Sequence, residues 1–175
     1  ECIKSKSIIR ATIDHCYFGD LGAGAIKMGE TILRDESEKV TSGNVVNNSI
    51  ITDGGHVFPC GVGISLFHAA HNRITHNEIS NLRYSGISVG WIWGYTFNPS
   101  VDNHIAYNHI HHINCSLYQT SCQRIHKSYR KRSNYRFDKI ICTIPQNSES
   151  PYSHKIRSYG QDLTVNAKNN IFCFS

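Results

Sequence analysis

The sequence predicts an all-β chain. Residues 1–113 read as a right-handed parallel β-helix of about four to five coils, and 114–175 as an irregular, unassigned basic tail. Three observations lead there. Asparagine-rich segments recur in one frame. The apolar residues inside them are spaced by two. Glycine content, repeat and charge balance all change near residue 113.

The repeat comes first, because it decides the architecture. Asn72-Arg-Ile-Thr-His-Asn-Glu-Ile79 and Asn103-His-Ile-Ala-Tyr-Asn-His-Ile110 share the frame Asn-x-Ile-x-x-Asn-x-Ile. Gly43-Asn-Val-Val-Asn-Asn-Ser-Ile50 is placed in the same frame through Val45, Asn48 and Ile50. A second element alternates with the first. It reads Gly63-Ile-Ser-Leu66 and Gly86-Ile-Ser-Val89, with a weaker copy at Gly24-Ala-Ile-Lys-Met28.

Ile87 and Val89 flank Ser88, Ile74 precedes Thr75, and Ile79 precedes Ser80. Short β-branched runs of period two between Gly and Asn turns indicate strands. One coil cannot bury its inner face alone, so coils stack into a continuous apolar core. Asn48, Asn77 and Asn108 are expected to share one place on successive coils. Asparagine tolerates the left-handed turn conformation, and stacked amides form a hydrogen-bonded ladder.

Composition bounds the rest. Residues 1–112 hold eight Lys+Arg and ten Asp+Glu; residues 113–175 hold ten and three. Twelve of thirteen glycines precede residue 113. The basic character therefore belongs to the last third. The change predicts that residues from about 114 are not native repeat sequence, as a frameshift or retained intron would leave. The chain also opens at Glu1 inside patterned sequence, so it reads as a fragment whose start lies upstream. No apolar run reaches the ~18 residues of a membrane span. The basic run Lys127–Arg136 has no nucleic-acid motif beside it, so it reads as a solvated charge run. The seven cysteines are odd in number and lack a Cys-x-x-Cys pair, and Cys16 and Cys60 are expected to be buried free thiols.

Two insertions, 53–62 and 90–102, flank the strands at Gly63–Leu66 and Gly86–Val89 from opposite edges. Loops on a rigid scaffold commonly hold function. Trp91, Trp93, Tyr95 and Phe97 would share one side of an extended segment. Exposed aromatic faces suit sugar rings. Glycoside cleavage needs carboxylates, one to protonate the leaving oxygen and one to attack or activate water. Asp53, before Gly54-Gly55, is the first candidate; Asp102, Glu78 and Asp20 follow. His56 shares the Asp53 loop and is a candidate to bind a sugar hydroxyl. His109, His111 and His112 invite a metal reading. A zinc site needs further ligands and a second shell that the sequence does not display, so no metal and no cofactor are expected.

Residues 11–113 resemble bacterial right-handed parallel β-helix proteins of the pectin-lyase-like fold, most closely the branch containing glycoside hydrolase family 141. The resemblance rests on Gly-Ile-Ser-Val-Gly-Trp-x-Trp-Gly-Tyr at Gly86–Tyr95, Asn-His-Ile-His-His-Ile at Asn108–Ile113 and Asp53-Gly-Gly-x-x-Phe-Pro59. It implies a secreted, periplasmic or surface enzyme on plant-type glycans, with fucose removal and xylan cleavage among the family's activities. The family continues past the His-His-Ile run with a Gly-rich Asp-x-Gly-Gly-x-Tyr stretch. This chain departs there, reading Asn114-Cys-Ser-Leu-Tyr-Gln-Thr-Ser-Cys122.

The expectation is therefore a fragment of a β-helix glycoside hydrolase. Asp53 is one carboxylate, and His56, Trp91, Trp93 and Tyr95 line the groove. The partner is a polysaccharide or oligosaccharide. A polysaccharide lyase would need an acidic Ca²⁺ cluster on successive coils, which the sequence lacks. A non-catalytic glycan-binding or surface β-helix is the rival.

Overall fold

The computed structural model describes residues 1–33, 40–91 and 97–113, together with the backbone of three further strands at 125–127, 136–138 and 141–143. The remainder of the basic tail lies outside the described residues. Every regular element among the described residues is one of seventeen strands.

Three five-stranded sheets run along the molecule, and all their pairings are parallel. The first holds β1 (Ile3–Ser5), β4 (Ile26–Gly29), β8 (Ile64–Phe67), β12 (Ile87–Val89) and β15 (Ile125–Lys127). The second holds β2 (Thr12–Asp14), β6 (Val45–Asn47), β10 (Arg73–Thr75), β13 (His104–Ala106) and β16 (Arg136–Asp138). The third holds β3 (Tyr17–Phe18), β7 (Ile50–Gly54), β11 (Glu78–Leu82), β14 (His109–Ile113) and β17 (Ile141–Thr143). A two-stranded sheet, β5 (Thr41–Ser42) with β9 (Ala69–Ala70), lines one corner. Each strand pairs with its counterpart one coil away, so the chain winds as a parallel β-helix.

Register explains the core. Ile26, Ile64 and Ile87 form one inward column of the first sheet, and Met28, Leu66 and Val89 form the next. Ile13, Val46, Ile74 and Ile105 line the second sheet, and Ile51, Ile79 and Ile110 the third. All of these are buried. β-Branched side chains dominate because they pack well on a pleated, half-buried surface.

Two asparagine ladders tie the coils at their corners. In one, Asn44 donates its amide to Asn72 Oδ1 at 2.9 Å, and Asn72 donates to Asn103 Oδ1 at 2.8 Å. In the other, the Ser49 backbone N–H donates to Asn77 Oδ1 at 3.0 Å. Asn77 in turn donates its side-chain amide to Asn108 Oδ1 at 3.0 Å. Every ladder residue is buried.

This corrects the place expected for Asn48. Val46 pairs with Ile74 and Ile51 with Ile79, so the frame lies one residue later than the sequence alignment put it. Ser49 occupies the ladder position below Asn77. Asn48 is exposed at φ 46°, in the left-handed turn column shared with His15, His76 and Tyr107. A one-residue slip moves a side chain to the other face of a strand. The thiol expectation also changes: Cys16 is half-buried and Cys60 is exposed, on a turn closed by Gly61 N–H donating to Phe58 O.

Candidate functional site

Asp53 sits near the end of β7, on a strand instead of in a loop. Its φ is 56°, and Asp20, Asn81 and His112 adopt the same conformation at the same place on their coils. Such positions favour Asn, Asp and His among non-glycine residues. The kink places Gly54 inward, between Leu21 and Leu82. A Cβ on Gly54 would stand 2.7 Å from Leu82 Cδ2 and 3.0 Å from Ala23 O, so a larger residue would have to displace the buried Leu82 side chain.

The following loop is fastened to the coil beneath. Gly55 N–H donates to Leu21 O at 2.9 Å, and Val57 and Phe58 N–H both donate to Gly22 O. This anchoring brings His56 back over the kink. His56 Nε2 lies 3.0 Å from Asp53 Oδ1 and 3.9 Å from Asp20 Oδ1. One ligand atom from each of the three residues falls within a sphere where all separations are at most 4.8 Å. All three are exposed, and the Asp20 side chain is 98% exposed. Through these contacts the coil at 20–24 and the loop at 53–58 act as one unit.

Trp91 lies just past the C-terminal end of β12, on the first sheet. Its ring meets Phe67 edge-on at 5.0 Å, and Lys27 Nζ lies 4.8 Å from the Phe67 centroid. Trp91 remains 43% exposed, enough to offer a face to a ligand. Register puts Lys4, Lys27, Ser65 and Ser88 in one column of the same sheet, alternating with the inward isoleucines. Trp93 and Tyr95 lie outside the described residues. Phe67 and Lys27 were not singled out from the sequence. Their signal was the alternation with Leu66 and Met28, which puts both on the outer face.

The remaining candidates fall elsewhere. Asp102 Oδ2 is 3.6 Å from His71 Nδ1 at a corner, with φ 51°. Glu78 Oε1 contacts His111 Nε2 at 3.3 Å, from one coil to the next. Burial lowers the His111 imidazole below its ordinary value, while the Glu78 hydrogen bond acts in the opposite direction. His109 packs on His111 with ring centroids 4.3 Å apart.

No family model matches the sequence. No curated protein matches it either. A solved structure titled "Glycoside hydrolase" is similar in fold, with a TM-score of 0.66 over 80% of this chain at 21% identity. The chain spans about a quarter of that protein's length, 25%. That likeness establishes a shared fold. No helix among the described residues is long and apolar enough to cross a membrane.

Proposed function

We propose that this chain is part of a carbohydrate-active β-helix protein, a fragment of a glycoside hydrolase acting on plant-type polysaccharide, with xylan or fucosylated glycans as substrates. The observation that supports it most is the Asp20–Asp53–His56 cluster where β7 of the third sheet ends, together with exposed Trp91 just past β12 of the first sheet. The neighbour titled "Glycoside hydrolase" shares the fold and favours this reading over others open to a β-helix.

The chemistry follows from two carboxylates. In a retaining reaction, one attacks the anomeric carbon while the other protonates the departing glycosidic oxygen; water then releases the sugar. Retaining pairs stand about 5–5.5 Å apart, and inverting pairs about 6.5–9.5 Å. Carboxylate oxygens of Asp20 and Asp53 within 4.8 Å favour the retaining geometry. His56 holds Asp53 Oδ1 and leaves its second oxygen for the ring. The family resemblance of residues 11–113 supports a location outside the cytoplasm or at a cell surface.

The test is reducing-end release from xylan and fucosylated glycans. The chain releases sugar, and Asp53→Asn lowers the rate about 10²–10⁴-fold. A second reading, a non-catalytic glycan binder, draws on the full exposure of Asp20. It gives carbohydrate affinity with no release, and that affinity falls in Trp91→Ala.

A further inference from the structure

The coils turn the corner between the first and second sheets with unequal lengths of chain. In the coil of β8 a single residue, His68, joins Phe67 to Ala69 of β9. In the coil before it, residues 30–40 fill the step from β4 to β5, and Thr41 pairs with Ala69. In the coil after it, the chain leaves β12 at Val89 and reaches this corner at Val101, whose carbonyl accepts from His71 N–H at 2.9 Å. The short turn therefore lies in a slot between two longer ones. Glu30, Ile32 and Val40 line it from the earlier coil and Pro99 from the later one, with Lys6 a coil further away.

His68 lines the same slot and is only 6% exposed. Among the described residues, neither of its ring nitrogens meets a hydrogen-bonding partner. Its φ is 42°, a conformation shared with His15, His71, His76 and His112, all of which are exposed. A turn role thus accounts for the backbone of His68 and leaves its burial unexplained. Buried polar groups are nearly always paired, so an unpaired ring in a slot points to a partner from outside the chain.

The lining limits what that partner can be. A neutral imidazole offers one N–H and one lone pair, and a hydroxyl can answer either. Lys6 and Glu30 carry opposite charges, so the lining selects neither an anion nor a cation. Ile32, Val40 and Pro99 supply apolar walls suited to C–H groups. The unfilled space is about 210 Å³ and partly open, and it admits a group about the size of water. A hydroxyl enters; a whole sugar ring does not. Phe67, the residue before His68, meets Trp91 edge-on, so the slot opens beside the exposed indole. We infer that His68 anchors a hydroxyl of a neutral sugar unit whose ring rests at Trp91, which makes it a specificity-determining residue. The inference rests on the glycan reading above and adds the class of sugar that is taken.

The experiment titrates xylohexaose and a fucosylated xyloglucan oligosaccharide into the full chain. Calorimetry reads affinity, and nuclear magnetic resonance of the histidine ring nitrogens reads hydrogen bonding at single imidazoles. At least one oligosaccharide is expected to shift the His68 ring signals, which are assigned by their loss in His68→Asn. That variant keeps a residue suited to positive φ and removes the imidazole. His68→Phe keeps a ring and removes both nitrogens. Each is expected to weaken binding about 10-fold. His68 signals that stay still while glycan binds, as when water alone fills the slot, overturn the inference. Affinity unchanged in both variants overturns it too. In either case sugar release by the parent chain leaves the proposed function standing. A parent chain that neither binds nor cleaves either oligosaccharide overturns both. Circular dichroism confirms that each variant keeps its strands.

Discussion

The backbone N–H of Ser49 donates to Asn77 Oδ1 at 3.0 Å, so Ser49 holds the place beneath Asn77. Asn77 also donates to Val46 O and to Asn108 Oδ1, both at 3.0 Å. Removing its side chain takes the acceptor from the buried Ser49 N–H and a donor from Val46 O, while Asn108 Oδ1 keeps the Asn77 backbone N–H.

Asn77→Ala is therefore expected to destabilise the chain by about 3 kcal/mol or more, since each orphaned buried group costs ~1–3 kcal/mol. Asn48→Gly, one residue from a ladder position but exposed and at positive φ, costs within about 0.5 kcal/mol. Urea unfolding of the two variants measures the difference. Equal losses would return Asn48 to the ladder and undo the pairing of Val46 with Ile74.

Asp53 has a structural and a chemical part that substitutions separate. Asp53→Asn keeps a residue suited to φ 56° and removes the charge. Asp53→Ala removes both and adds strain of about 1 kcal/mol. Thermal melts should show Asn close to the parent and Ala below it, while both lose hydrolysis. Full activity in Asp53→Asn would leave the residue with the turn role alone.

Gly29 has φ 85°, and a Cβ there would lie 1.7 Å from the Phe67 carbonyl oxygen. No side chain can move to relieve that contact. Gly29→Ala should cost about 3 kcal/mol or more through displaced strand pairing between β4 and β8. Denaturant midpoints test this, and a neutral outcome means the two strands are not so close.

Asp14 accepts a hydrogen bond from His15, which holds its carboxyl below the ordinary 3.8; Asn47 and Asn48 amides add to the effect. A depressed folded value means stability present above 3.8 and lost as pH falls through the folded value. The parent should thus exceed Asp14→Asn in stability at neutral pH, by a small margin for so exposed a group, and the gap should close in acid. A gap that widens in acid contradicts the sign.

Much of the fold was legible because the pattern was redundant. Ile64 and Ile87 repeat with no insertion between them, and they pair in register. Asn72 with Asn103 and Asn77 with Asn108 share a frame that hydrogen bonds repeat. The slip at Asn48 has a physical source. Val45-Val46 and Ile50-Ile51 are doublets, so shifting the frame by one still places a β-branched residue inward. Only burial separates the choices: Ile51 is fully buried and Ile50 is 42% exposed. The ladder member there is a serine beside two asparagines, which hid it. At the site, His56 with Asp53 was readable from closeness in sequence. Glu78 with His111, and Lys27 with Phe67 and Trp91, meet only because coils stack, and no local spacing announces such contacts.

The coils also differ in length without losing step. Successive members of the first-sheet column, Ile3, Ile26, Ile64 and Ile87, are separated by 23, 38 and 23 residues. The third-sheet column Phe18, Ile51, Ile79 and Ile110 advances by 33, 28 and 31. Extra chain is spooled out between the first and second sheets and between the third and first, while the step from the second sheet to the third stays constant, and the amide ladders bring the thread back into phase before the next layer is laid down. Loop length can thus drift at two corners while the sheet columns of neighbouring layers stay in alignment. A scaffold of this kind lets its rim be rewritten one layer at a time.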